Sequence, residues 1–152
     1  MGWLITAVLV AFGLGMWWLQ LSISRLDRLH IRTDAAWAAL DAALSRRCVV
    51  ARAIALVQQD SRLRAAADAA EASPRSGREL AENRLTRILT DVTHPALSAE
   101  LADAQHRVML ARLVYNDAVT DTRALRATWA VRFFHQAGRA PLPDYFEIND
   151  QY

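Results

Sequence analysis

Lysine is absent from this chain of 152 residues, and cysteine occurs once, as Cys48. A single cysteine excludes an internal disulfide framework and any multi-cysteine zinc site. With only five glycines and four prolines, a collagen, a turn-rich β-sandwich and a glycine-rich linker protein are all disfavoured. Neither sign of charge dominates: 18 basic residues, all arginine, face 16 acids, for a net charge of +2. The arginines are spread along the chain and not massed, so no nucleic-acid partner is expected. What the chain does have is 53% apolar residues, enough for a core and too many for a disordered chain. It is also rich in helix formers, with Ala35-Ala36 and Ala65 to Ala67 among leucines and arginines.

The first charged side chain is Arg25. Residues 3–23 before it are apolar, about the 20 residues that a helix needs to cross a bilayer. Trp3 stands at one end and Trp17-Trp18 near the other, as in interfacial aromatic belts. A soluble core helix would show a polar face, and this run shows none. A cleaved signal peptide would need a basic leader and an Ala-x-Ala site. Only Met1-Gly2 precede the run and no such site follows, so an uncleaved anchor is expected. Arg25, Arg28 and Arg32 after the span place the remainder on the cytoplasmic side, with the N-terminus outside. Ala7, Ala11 and Gly15 recur at every fourth position and line one face with small residues. That is a face through which membrane helices self-associate.

Beyond the span, the apolar spacing is helical throughout. Leu26, Leu29, Trp37, Leu40, Leu44, Val50, Ile54 and Val57 are separated by polar residues, and no Gly or Pro follows until Pro74. The span is therefore expected to run on into a first long helix. Asp60 or Ser61 can cap a second, although no glycine marks a turn there. SPRSG at residues 73–77 reads as a break, after which Leu80, Leu85, Ile88, Leu89 and Val92 resume helical spacing. Thr93-His94-Pro95 ends that helix. From Leu97, a strict three-four repeat runs through Leu101, Ala104, Val108, Ala111, Tyr115, Ala118, Thr122, Leu125 and Trp129, a heptad seam. Gly138 is placed to cap it, and Pro141 and Pro143 make the tail extended. The expected fold is all-α, with the transmembrane helix at residues 3–23, a bundle at 24–137 and an extended tail at 138–152. Rods of about 35, 32 and 41 residues suit an antiparallel up-down-up bundle of three helices. If residues 25–72 stay one rod, the bundle is staggered or needs a fourth helix. Intrahelical ion pairs are expected for Asp60/Arg64, Glu71/Arg75 and Asp103/Arg107.

Residues for catalysis do not converge. His30, His94, His106 and His135 make no HExxH-like pair, and no Glu has a His three residues on, as di-iron bundles require. No phosphate loop occurs, so neither a metal nor a cofactor is expected. Cys48 falls on the apolar side of the first helix, where a free thiol acts as a small hydrophobe. Asp117 and Asp121, one turn apart, have Arg46, Arg47 and Arg112 as available partners. Tyr145, Phe146 and Ile148 either fold back on the helices or form a docking peptide, and folding back is the expected outcome.

The third helix and tail resemble the C-terminal half of LemA family proteins. Tyr115-Asn116-Asp117-Ala118-Val119 and Tyr145-Phe146-Glu147 carry the likeness, together with Trp37, Asp41 and Arg46-Arg47 on the first helix. Glu82-Asn83-x-Leu85-Thr86 in the middle helix also fits. Where the family has Leu-Ile-Pro-Asn-Leu after its Arg-Arg, this chain has Cys48-Val49-Val50-Ala51-Arg52-Ala53-Ile54, so it is identified as a divergent member. The resemblance implies a bacterial single-pass protein with a cytoplasmic helical bundle, and it implies no reaction. Arg46, Arg47, Tyr115, Asn116, Asp117, Tyr145 and Phe146 are then candidate interaction residues. The expected function is a non-catalytic scaffold or adaptor for an unknown protein partner. The alternative is a small-ligand sensor or enzyme with a polar site inside the bundle.

Overall fold

A computed structural model describes residues 2–91, 97–127 and 142–148, leaving out the side chains of Leu19 and residues 21–27. The expected stop at Thr93-His94-Pro95, the last seam residue Trp129 and the cap Gly138 lie outside the described residues. Among those described, the secondary structure is helical: α1 (Gly2–Gln58), α2 (Ser61–Ala72), α3 (Arg75–Thr90) and α4 (Ser98–Ala127). The chain is all-α. It divides into two compact units, one of Met1–Asp34 with Ala118–Pro143 and one of Ala35–Asp117 with Asp144–Tyr152.

In the first unit, α1 presents an apolar run to its surroundings. Trp3, Leu4, Ile5, Val8, Leu9, Phe12, Leu14 and Trp17 are all more than half exposed. Thr6, a polar member of the run, donates its hydroxyl to the Gly2 carbonyl at 3.0 Å. Ala7 and Ala11 line a shallow groove with Trp3, Val10 and Leu14. Among the described residues no helix is long and apolar enough to cross a membrane. The expected span 3–23 runs through Leu19 and residues 21–23, whose side chains lie outside the described set. Further along this unit, the buried hydroxyls of Thr33 and Thr122 lie 2.9 Å apart. Each is also within reach of the carbonyl one turn earlier, Leu29 at 2.9 Å and Ala118 at 2.9 Å. Arg32 pairs with Asp121 at 2.6 Å. Asp121 is thus matched by Arg32 and not by the arginines expected from the sequence.

The second unit holds the core. α1 ends because Gln59 takes a left-handed backbone, φ 58°. The Asp60 N–H then reaches the Ala55 carbonyl at 2.9 Å, and the Gln59 N–H reaches Leu56 at 3.4 Å. This is a Schellman C-cap with glutamine where glycine is usual. Asp60 immediately caps α2, its carboxylate accepting from the Arg62 and Leu63 N–H groups at 2.9 and 3.0 Å. A two-residue link and the reach of Arg52 on α1 to Asp68 and Glu71 on α2 make this pair an antiparallel hairpin. α2 stops at Ser73, held extended by Pro74 (φ −72°, ψ 133°).

The break is narrower than the expected 73–77, since helix resumes at Arg75. It also turns the chain around. On α1 and α3, Asp41 and Ser45 meet Arg78, and Arg47 meets Glu82 and Thr86. Residue numbers rise together, so α3 runs parallel to α1. Trp37 meets Tyr115 while Arg46 meets Asp103, so α4 runs antiparallel. The second rod of about 32 residues, expected with a break, is two separate helices of 12 and 16 residues. The four described helices alternate in direction, because Pro74 forbids one continuous rod. Leu40, Leu44, Cys48, Ala51, Ile54, Leu63, Ala67, Leu85 and Val108 are fully or almost fully buried.

Two expected ion pairs are also corrected. The Asp60 carboxylate serves as a cap, and Glu71 pairs with Arg52 instead of Arg75. Asp103–Arg107 forms as expected, at 2.8 Å.

Candidate functional site

Two constellations of polar side chains stand out, both in the second unit. The first is buried. Arg47 occupies the core-facing stripe of α1, in step with Leu40, Leu44, Ala51 and Ile54. Glu82 occupies the corresponding stripe of α3 with Leu85 and Leu89. Both side chains are fully removed from solvent, and the Arg47 guanidinium is ion-paired to Glu82 Oε2. Its other Nη donates to Thr86 Oγ1 at 3.1 Å. Arg78, one turn before Glu82, donates from Nε to Glu82 Oε1 at 2.9 Å. Its remaining nitrogens reach the Glu71 carbonyl at 3.1 Å, Ser45 Oγ at 3.4 Å and the half-buried Asp41 at 3.5 Å.

One fully buried carboxylate therefore holds two guanidiniums. Such a cluster survives only because nearly every donor has an acceptor. Arg47 Nε is the exception, a buried donor with no hydrogen-bond partner.

Cys48 sits beside this cluster, its sulfur 3.9 Å from Glu82 Oε1. Burial, reinforced by the Glu82 charge, pushes its thiol pKa up to about 12. A thiol held protonated is a poor nucleophile and a poor metal ligand. It sits among the core residues as the sequence led one to expect.

The second constellation grips the tail. Tyr115 is buried on α4, and Trp37 on α1 meets it edge-on with ring centroids 5.5 Å apart. Phe146 of the tail meets Trp37 in the same way at 5.8 Å. The Arg75 guanidinium caps the Trp37 face at 4.3 Å and donates to the Tyr115 hydroxyl at 3.0 Å. That hydroxyl donates onward to the Asp144 carbonyl at 2.8 Å.

Asn116 closes on the tail main chain from both sides. Its amide nitrogen donates to the Phe146 carbonyl at 3.1 Å, and its amide oxygen accepts the Phe146 N–H at 2.9 Å. Asn83 donates to the Glu147 carbonyl and Glu79 accepts the Glu147 N–H, each at 3.3 Å. Phe146 and Ile148 are buried, while Asp144, Tyr145 and Glu147 face outward.

The candidate residues thus separate. Tyr115, Asn116 and Phe146 belong to the clasp, and Arg47 to the buried cluster. Arg46 is exposed and lies 3.7 and 3.9 Å from Glu100 and Asp103, not near Asp117. Asp117 and Tyr145 are exposed. The sequence does not single out Arg78 or Glu79, and it gives Arg75 only as a partner for Glu71. The signal for Arg78 was its position one turn before Glu82. Among the described residues, no group of three or more His, Cys, Asp or Glu could hold a metal ion. In comparisons with known proteins, no family model, no curated protein and no solved structure matches this chain.

Proposed function

We propose that this chain is a membrane-anchored helical-bundle protein of the LemA type, a scaffold or adaptor that binds another protein at the inner face of a bacterial membrane. The observation that carries the anchor is the exposed apolar surface of α1 from Trp3 to Trp18. An isolated soluble domain does not leave so large a continuous apolar surface to water. Lipid is the solvent that suits it, and the back-bonded Thr6 hydroxyl suits it too. In this reading residues 3–23 are the span and the arginines after it keep the body in the cytoplasm.

The adaptor part rests on how the polar groups are used. The buried arginines are engaged by Glu82, the thiol is protonated, and Tyr115 and Asn116 hold the chain's own tail. These commitments weigh against the alternative of an enzyme or a small-ligand sensor inside the bundle, which would need such groups turned toward a ligand.

The test uses the full chain in bacteria. After alkaline carbonate washing the chain is expected to stay in the membrane pellet, and protease outside whole cells is expected to leave the body intact. Photocrosslinkers on exposed helix positions are expected to capture a discrete protein. Release by carbonate or digestion from outside overturns the anchor and its orientation. Capture of lipid alone overturns the adaptor.

A further inference from the structure

The clasp on the tail has the form of a peptide-recognition groove. Asn116, Tyr115, Asn83 and Glu79 hold the main chain of three tail residues, Asp144, Phe146 and Glu147. Two side chains two positions apart, Phe146 and Ile148, supply the burial. Extended peptides are read in this way: main-chain hydrogen bonds give the grip, and alternate side chains give the selectivity. The gripping groups named above are on α1, α3 and α4, and none of these contacts depends on which molecule supplies the segment.

We infer that this groove also takes its ligand in trans, and that the ligand is the Asp144–Ile148 segment of a second copy of the chain. The segment that demonstrably fits is this one, and each further copy carries it. Exchange of a terminal segment preserves each contact and so needs no new surface. The cis tail competes through its high effective concentration. The inference rests on the anchored reading in one respect: copies confined to one membrane plane meet at raised local concentration.

The test is complementation between full-length chains carrying different tags. One variant, Asn116→Ala, has a broken clasp and an intact tail. The other, Phe146→Ala with Ile148→Ala, has an intact clasp and a broken tail. Co-purification of the mixed pair is expected to exceed that of either variant with itself by at least about tenfold. Equal recovery in all three mixtures overturns the inference, including the case where the copies associate through Ala7, Ala11 and Gly15 alone.

Wild-type chain keeps the idea testable if a variant does not fold. A synthetic peptide of residues 142–149 is added in excess. It is expected to speed amide exchange at Phe146 and Glu147 of the chain about tenfold, with the helices unchanged. The same peptide with alanine for its Phe and Ile is expected to have no effect. No difference between the two peptides overturns the inference. Capture of a foreign protein by the crosslinkers, without complementation here, overturns the exchange and leaves the adaptor reading standing.

Discussion

Arg47 and Glu82 face each other across α1 and α3 with neither side chain exposed to water. Glu82 answers Arg78 as well, so the three do not contribute equally. Removing Glu82 leaves Arg47 buried with no carboxylate and Arg78 with only the half-buried Asp41, whereas removing Arg47 leaves the Glu82–Arg78 pair intact. Glu82→Ala is expected to cost about 3–5 kcal/mol, and Arg47→Met clearly less. Urea unfolding of the full chain in detergent, followed by circular dichroism, ranks the two. Equal midpoints would show that Arg78 does not share the carboxylate.

The Cys48 thiol, raised to about 12, has consequences for chemistry and for stability. A thiol reagent at pH 8 is expected to label the folded chain at least about 100-fold more slowly than the urea-unfolded chain. In the unfolded chain the thiol ionises near its ordinary value of about 8.5. The stability it confers is thus complete below that value and falls as pH rises toward 12. Cys48→Ala is expected to flatten this alkaline slope in a pH series of thermal melts.

The turn between α1 and α2 makes two opposite predictions at adjacent positions. Gln59 holds a left-handed backbone that costs a non-glycine residue about 1 kcal/mol. Gln59→Gly should therefore raise the melting temperature, by an amount corresponding to about 0.5 kcal/mol once glycine's greater entropy loss is set against it. Asp60→Ala removes the side-chain acceptor for two N–H groups and should cost about 1 kcal/mol. A drop in melting temperature for both variants would mean that the glutamine is held by contacts beyond its backbone.

Below neutrality the exposed pairs matter. The hydrogen bond from Arg52, helped by its charge, holds the Glu71 carboxyl below the usual range, and Arg107 does the same for Asp103. A carboxyl with a depressed folded pKa adds stability that is present above its unfolded value and lost as pH falls through the folded one. Melting temperature should stay level down to about pH 5 and decline below about pH 4. Exposure keeps the effect small, and salt should weaken it further. Glu71→Gln is expected to make the acid decline shallower.

Much of this architecture was legible because periodicity reports burial directly. Val108, Tyr115, Ala118 and Thr122 are buried as their spacing demands, and Asp60 caps as its chemistry suggests. Burial fades toward the seam's ends, where Leu101 and Leu125 are half-buried. Leu125→Ala should then cost less than the 2–5 kcal/mol or so of a fully buried leucine.

Arg47 was hidden by its type. Its position continues the stripe Leu40, Leu44, Ala51, Ile54, but a charged residue there reads as solvent-facing unless a buried partner is known. Glu82 on another helix is that partner, and no local pattern announces it. The reversal at Pro74 was hidden for a related reason: proline marks where a helix stops, and not the direction in which the chain resumes. Leu80 shows the limit of spacing alone, being 75% exposed despite its apolar character.

The grip on the tail by its peptide groups has a consequence for how the chain tolerates change. Glu147 contributes a carbonyl and an amide to which any residue but proline is equivalent, while Phe146 and Ile148 contribute shape. A saturation library over these three codons should come back as one permissive position between two intolerant ones, with proline purged from the middle.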